Sequence, residues 1–181
     1  MRIGELLALK WENIDFKRYQ IQINKTLFRN GNVTTDYELT PPKTKKSSRV
    51  ISVDKNVMLA LSQLKFIQED IRNQFPDYHN ENFVFAKLAG NNAGYPELRS
   101  SLGYRLKEYL RKSKITKNIT LHKLRHTHVS LLAEAGVELH TIQERIGHES
   151  SKTTSRIYLH VTKEVTKQAV EKFSMHMNRN S

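Results

Sequence analysis

The sequence predicts an α+β domain, mainly α-helical, with a small three-stranded antiparallel sheet near its N-terminal end. Three observations carry that expectation. Apolar and polar residues alternate from Tyr19 to Leu27, the period of a half-buried strand, and Arg49–Val53 returns as a further strand after a polar, basic tip. From Asp54 onward the apolar residues recur every three or four positions, the period of a helix buried on one side. The chain has 181 residues, the size of one domain, and chains of that size bury about 70% of their unfolded surface.

The elements follow in order. Ile3, Leu6 and Leu7, with Trp11 past the end, have helical spacing over residues 3–10, and no N-cap residue precedes them. A helix already under way at Met1 gives the expectation that the chain is a piece of a longer protein. Tyr19–Leu27 forms a strand with Ile21 and Ile23 on one face. Asn30-Gly31-Asn32 signals a turn. A second strand runs through Thr34–Thr40 until Pro41 and Pro42, which cannot donate to a ladder, stop it. The polar, basic stretch 43–48 is a hairpin tip, and Arg49–Val53 returns as the third strand.

Asp54 can accept a bond from the open N–H groups of a helix over 55–73, with Val57, Leu61, Leu64 and Ile71 on its apolar side. Two loops, QFPDYHNEN and LAGNNAGYP, flank Phe83-Val84-Phe85, a short buried extended segment. Leu98, Leu102, Leu106 and Leu110 repeat every four residues, which predicts a helix over 97–112. Thr120 caps a helix over 121–135 that Gly136 ends, and a short helix over 139–146 ends at Gly147. A further helix carries Tyr158. Thr162 caps a last helix over 162–178, with Val165, Val170 and Phe173 along one side. There is no internal repeat and no low-complexity segment.

Thirty Lys and Arg against eighteen Asp and Glu give a formal net charge of +12. The pI of 9.9 exceeds the value of about 9 that points to a nucleic-acid partner. Cysteine is absent, which excludes disulfides, thiolate zinc sites and cysteine nucleophiles and fits a reducing compartment. No apolar run approaches the ~20 residues that span a bilayer, and no secretory signal is seen at the start. The expected setting is a bacterial cytoplasm, associated with the nucleoid, and no membrane partner is expected.

The chemistry-bearing residues are basic side chains followed by a tyrosine: Arg2, Lys43, His122 and Arg125 in LHKLRHTH, His148 in RIGHESS, and Tyr158 in TSRIYLHV. A phosphodiester under attack gathers negative charge. Guanidinium forks answer it with paired donors, and positioned cations are usually the largest contribution to phosphoryl transfer. His122 and Arg125, three apart, share a helix face, so the helix can bury Leu121, Leu124 and Leu132 while presenting both to a ligand. His122 and His126 have the spacing of a zinc helix, but Lys123 stands where such a site needs Glu, and Arg125 between them repels a dication. No metal or cofactor is expected. His128 falls on the leucine side, as a core or supporting histidine. Gly147 can aim His148 away from the preceding helix.

Taken in order, R-I-G-E-L-L, a hairpin lysine before R-V-I, H-x-x-R, G-H and a tyrosine ten residues on resemble the tyrosine recombinases, or phage-type integrases, and most closely the integrases of bacterial mobile elements. The resemblance runs from Arg2 to about Val161. It implies the catalytic-domain fold of that family, with Arg2 and Arg125 as the two catalytic arginines and His122, His148 and Tyr158 as catalytic residues, Tyr158 the nucleophile. Glu5, in R-x-x-E-L, matches a supporting acid that steadies Arg2. Lys43 is favoured as the catalytic lysine by its P-K-T context, with Lys45 the alternative. Lys123 departs from the Asp that often follows this histidine. The implied reaction is site-specific recombination, the integration or excision of a mobile element, through a 3′-phosphotyrosyl intermediate and without metal or nucleotide cofactor. Its partners would be double-stranded DNA, a homotetramer on that DNA, and accessory DNA-bending or directionality proteins.

The family places a DNA-clamping domain and further catalytic-domain helices ahead of the first arginine. Residues 1–181 would therefore be a catalytic-domain fragment, with helix 162–178 docking on a neighbouring subunit. Two alternatives stay open: a fragment that binds DNA without cutting it, and an enzyme resembling type IB topoisomerases. The expectation common to all of this is one pocket formed by the basic residues, with the Tyr158 phenol able to enter it.

Overall fold

The alternation around Tyr19 resolves into two strands. β1 (Ile14–Asp15), β2 (Gln20–Ile23) and β5 (Arg49–Ser52) form an antiparallel sheet in the order β1-β2-β5. Ile21 stands opposite Ile14 on one side and Ile51 on the other. At Asn24-Lys25 the chain leaves this sheet, and β3 (Thr26–Phe28) pairs with β4 (Glu38–Thr40) in a separate two-stranded sheet. The expected three-stranded sheet is present, but its third member is Ile14–Asp15 and not the segment before Pro41. Two residues are too few for alternation to register; Ile14 qualifies by placing its side chain beside Ile21 on the buried face.

The structure is a computed structural model that describes residues 1–42, 47–147 and 152–179. It divides into two units, Met1–Leu121 and His122–Ser181. In the first, Leu9, Ile14, Ile21, Ile23, Ile51, Met58, Leu61 and Val84 form a core where the sheet meets α2 (Lys55–Gln74). Asp54 caps α2, its Oδ1 accepting from the Asn56 N–H at 2.8 Å, as its position before the helix predicts. The buried side of α2 carries Met58, Leu61 and Gln68, while Val57 is exposed. Gln68 holds a core position because both ends are satisfied: Oε1 accepts from Trp11 Nε1 and Nε2 donates to the Val84 carbonyl, each at 2.8 Å.

A second cluster of Leu7, Ala8, Leu27, Phe83 and Ala86 lies under α1 (Ile3–Leu7). Gly4 permits that packing, since a Cβ there would stand 2.8 Å from Thr26 Cγ2 and 3.1 Å from the Leu27 carbonyl. Phe83-Val84-Phe85 is extended and bonds back to the start of the chain, the Val84 N–H donating to the Leu9 carbonyl at 2.9 Å. α3 (Arg99–Lys112) has no fully buried residue, so its leucine repeat marks a half-covered face.

The second unit holds α4 (Leu121–Glu134), α5 (Leu139–Ile146) and α6 (Lys152–Arg179). Its core is Val129, Ala133, Ile142 and Ile146, with Leu132, Val137, Ile157, Tyr158 and Val161 packed against it. Gly147 ends α5 in the left-handed conformation at φ 71°, which costs glycine little. The expected break before Thr162 is not there. α6 is one helix of 28 residues. Thr162 sits inside it, its hydroxyl donating to the Tyr158 carbonyl at 3.0 Å and the Leu159 carbonyl at 3.3 Å. A threonine hydroxyl can bond the preceding turn as readily as it can cap a new one, so the same residue reads both ways in sequence.

Candidate active site

Among the candidate residues of the first unit is a buried carboxylate. Glu5 is 1% exposed, yet it lies in the first turn of a five-residue helix. Its Oε2 accepts from the Arg2 backbone N–H at 2.7 Å, which answers one open donor of the helix start. Its Oε1 accepts from Arg2 Nη1 at 2.8 Å. Arg49, on β5, reaches the same carboxylate from the other side, Nη1 to Oε1 at 3.3 Å and Nη2 to Oε2 at 3.0 Å. Arg49 Nη1 also donates to the Ser47 carbonyl at 2.9 Å. Burial alone would raise the Glu5 pKa, but the hydrogen bonds and charges of Arg49 and Arg2 outweigh it and hold the carboxyl below its ordinary value. Arg2 differs from its partners: its side chain is 43% exposed against 8% for Arg49. The pairing expected of Arg2 and Glu5 is thus present. Arg49 was legible in sequence only as a strand residue, because a contact across 44 positions leaves no local pattern.

In the second unit α4 supplies His122 and Arg125. The leucine stripe expected to be buried is only partly so. Leu124 is exposed, and the buried face runs through Arg125, Val129 and Ala133. Leu124 lies about 100° around the helix from Arg125, whereas Arg125, Val129 and Ala133 are four apart on one line. Arg125 is therefore not displayed beside His122 on an open edge. It is 8% exposed, and its Nη2 donates to the Ile146 carbonyl at 2.5 Å. His122 is exposed, its ring 4.6 Å from that of His126 and at 89° to it. Burial, then the charges of His122 and Arg125, push the His126 pKa down. His128 is half-buried, and Arg145 Nε on α5 donates to its Nε2 at 3.3 Å. That bond requires the neutral ring, and burial and the Arg145 charge lower the His128 pKa accordingly.

Tyr158 stands in the second turn of α6, half-buried against the Val129, Ala133, Ile142 and Ile146 cluster. Ile146 thus links two candidates: its side chain belongs to the cluster that Tyr158 covers, and its carbonyl receives Arg125. Lys43, with its alternative Lys45, and His148 lie outside the described residues. Among the described residues no group of three His, Cys, Asp or Glu side chains could hold a metal ion, and no helix is long and apolar enough to cross a membrane.

Comparison with known proteins places these residues in a wider set. The model of the phage integrase family matches residues 1–165. The integrase of Staphylococcus phage L54a is 35% identical over 173 residues, covering 95% of this chain and 48% of that protein. The ICEBs1 integrase of Bacillus subtilis is 32% identical, covering 95% and 45%. The chain thus spans about half the length of the curated relatives it matches. Among solved structures, the Tn1549 transposon integrase in complex with transposon right end DNA superposes with a TM-score of 0.72 at 25% identity, over 96% of this chain and 55% of that one. XerA recombinase shares the fold, with a TM-score of 0.64 at 23% identity.

Proposed function

The chain belongs to the phage integrase family, and from that premise we propose that it is the catalytic part of a site-specific DNA recombinase acting on a mobile element. The observation that carries the reading is the extent of the family match: residues 1–165 contain Arg2, Glu5, Lys43, His122, Arg125, His148 and Tyr158 in one ordered set. A net charge of +12 supports double-stranded DNA as the partner, as do the DNA-bound integrase and its relatives.

In the proposed reaction the Tyr158 oxygen attacks a backbone phosphorus in line. The new bond is phenolic oxygen to phosphorus, and the bond that breaks is phosphorus to the 5′-oxygen of the next nucleotide. The phenolic proton is lost to a base, a role His122 can assist, and the departing 5′-oxygen takes a proton, assigned to Lys43. A free phenol has a pKa near 10, so attack at neutral pH needs cations. Arg2 and Arg125 are assigned to stabilise charge on the phosphoryl oxygens, with His148 hydrogen-bonding the phosphate. One phosphodiester replaces another, which leaves the ester energy in the protein–DNA link for rejoining without a nucleotide cofactor. A tetramer on DNA, with the segment 162–178 docked on a neighbouring copy, belongs to the same proposal.

The test is a nicked duplex carrying the element's attachment sequence, which traps the covalent step. The native chain is expected to form an adduct that survives a denaturing gel, and Tyr158→Phe to form none while binding the same duplex. An adduct from the phenylalanine variant would remove Tyr158 from its role. Binding without an adduct from the native chain would favour a DNA-binding module.

A further inference from the structure

We propose that Arg49 is a positioning residue for Arg2, acting through Glu5; this rests on the recombinase reading, in which Arg2 meets the phosphate. Three features argue for more than a buried ion pair that happens to lie nearby. The first is the division of exposure. Glu5 and Arg49 are withdrawn from solvent while Arg2, on the same carboxylate, keeps 43% of its side chain open. The exposed member is the one able to meet a ligand, and the buried members form its mount.

The second feature is geometry. Arg49 meets both carboxylate oxygens, which fixes the plane of the group and not only its distance. The carboxylate plane in turn sets the line of the 2.8 Å bond to Arg2 Nη1. Arg49 is itself held: it pairs opposite Ile23 in the β2–β5 ladder, and Ile23 is 0% exposed. The rigid sheet thus reaches Arg2, which sits in extended backbone ahead of a five-residue helix. A helix of five residues is a poor anchor by itself.

The third feature is charge. Arg2 and Glu5 alone would sum to zero, and the carboxylate would cancel the field that a phosphate should feel from the guanidinium. Arg49 restores a net single positive charge. Lysine would supply the charge without the fork, which separates the two contributions in one substitution.

Arg49→Lys is therefore the informative variant, since removing the charge outright would strand a buried carboxylate and threaten the fold. In single-turnover cleavage of the nicked duplex at saturating DNA, Arg49→Lys is expected to be about tenfold to a hundredfold slower than the native chain, with DNA affinity nearly unchanged. In an Arg2→Ala background the same change should do nothing further. An unchanged rate, or an equal loss in both backgrounds, would overturn the proposal. A second measurement does not need catalysis: the NMR order parameter of the Arg2 Nε–Hε pair in the DNA-free chain. It should fall in Arg49→Lys, and an unchanged value overturns the proposal. If the native chain makes no adduct, the recombinase reading fails, and this second measurement decides the positioning alone.

Discussion

At the scale of single residues, Glu5 organises the candidate residues of the first unit. It is a carboxylate buried between two guanidiniums, and its folded-state pKa is below its unfolded value. A group of that kind stabilises the fold at pH above the unfolded pKa of about 4.3 and loses the contribution as pH falls through the folded value. The native chain is expected to lose stability on acidification below that range in urea melts. Glu5→Gln should lack this part of the pH dependence and unfold about 3 kcal/mol more easily at neutral pH, because it leaves the Arg49 charge uncompensated in a buried place. A pH profile for Glu5→Gln that overlays the native one would show that the carboxylate is not the group being titrated.

What the sequence makes legible varies most from residue to residue. The motifs single out Arg2, Glu5, His122, Arg125 and Tyr158 as candidates, and the Arg2–Glu5 bond follows from three-residue spacing in a first turn. Arg49 reads in sequence only as a strand residue, because its carboxylate partner is 44 positions away. Three-residue spacing puts Arg125 on the face of His122, beside the leucine stripe, and so predicts an open position. The structure buries the arginine by giving its guanidinium the carbonyl at the end of α5, and no pattern within α4 could announce that.

At the scale of elements, local chemistry decided what was legible. Asp54 and Gly147 signal a start and a stop through their own backbone preferences, and both signals hold. Thr162 sends a signal that fits two structures, and the helix runs through it. These differences give a paired prediction for thermal unfolding. Gly147→Ala should destabilise by about 1 kcal/mol, since φ 71° strains any residue with a Cβ. Thr162→Ala should be neutral or stabilising by a few tenths of a kcal/mol, because alanine is the better residue inside a helix. A Thr162→Ala loss as large as the Gly147→Ala loss would mean that threonine does cap a helix there. The strand β1 escaped for another reason: two residues carry no period, and Ile14–Asp15 is a strand only because Ile21 lies beside it.

At the scale of the whole molecule, composition makes the argument. An excess of twelve positive charges has to be screened by counterions in free solution and can be met by phosphates on DNA. If six to ten phosphates are contacted, affinity should fall by about 10³-fold to 10⁵-fold between 50 and 200 mM salt. Fluorescence anisotropy of a labelled duplex over that range measures the slope directly. An affinity flat across it would count against phosphate contacts as the source of binding, whatever the motifs suggest.

The unbroken course of α6 has a mechanical consequence. Twenty-eight residues make a rod of about 42 Å, with neither proline nor glycine along it to act as a joint. Tyr158 rides near one end, and Val170, Phe173, Met175 and Met177 leave apolar surface bare toward the other. A torque applied at Phe173 has no hinge in which to dissipate before it turns the tyrosine, so whatever grips the far end of this shaft also steers its near end.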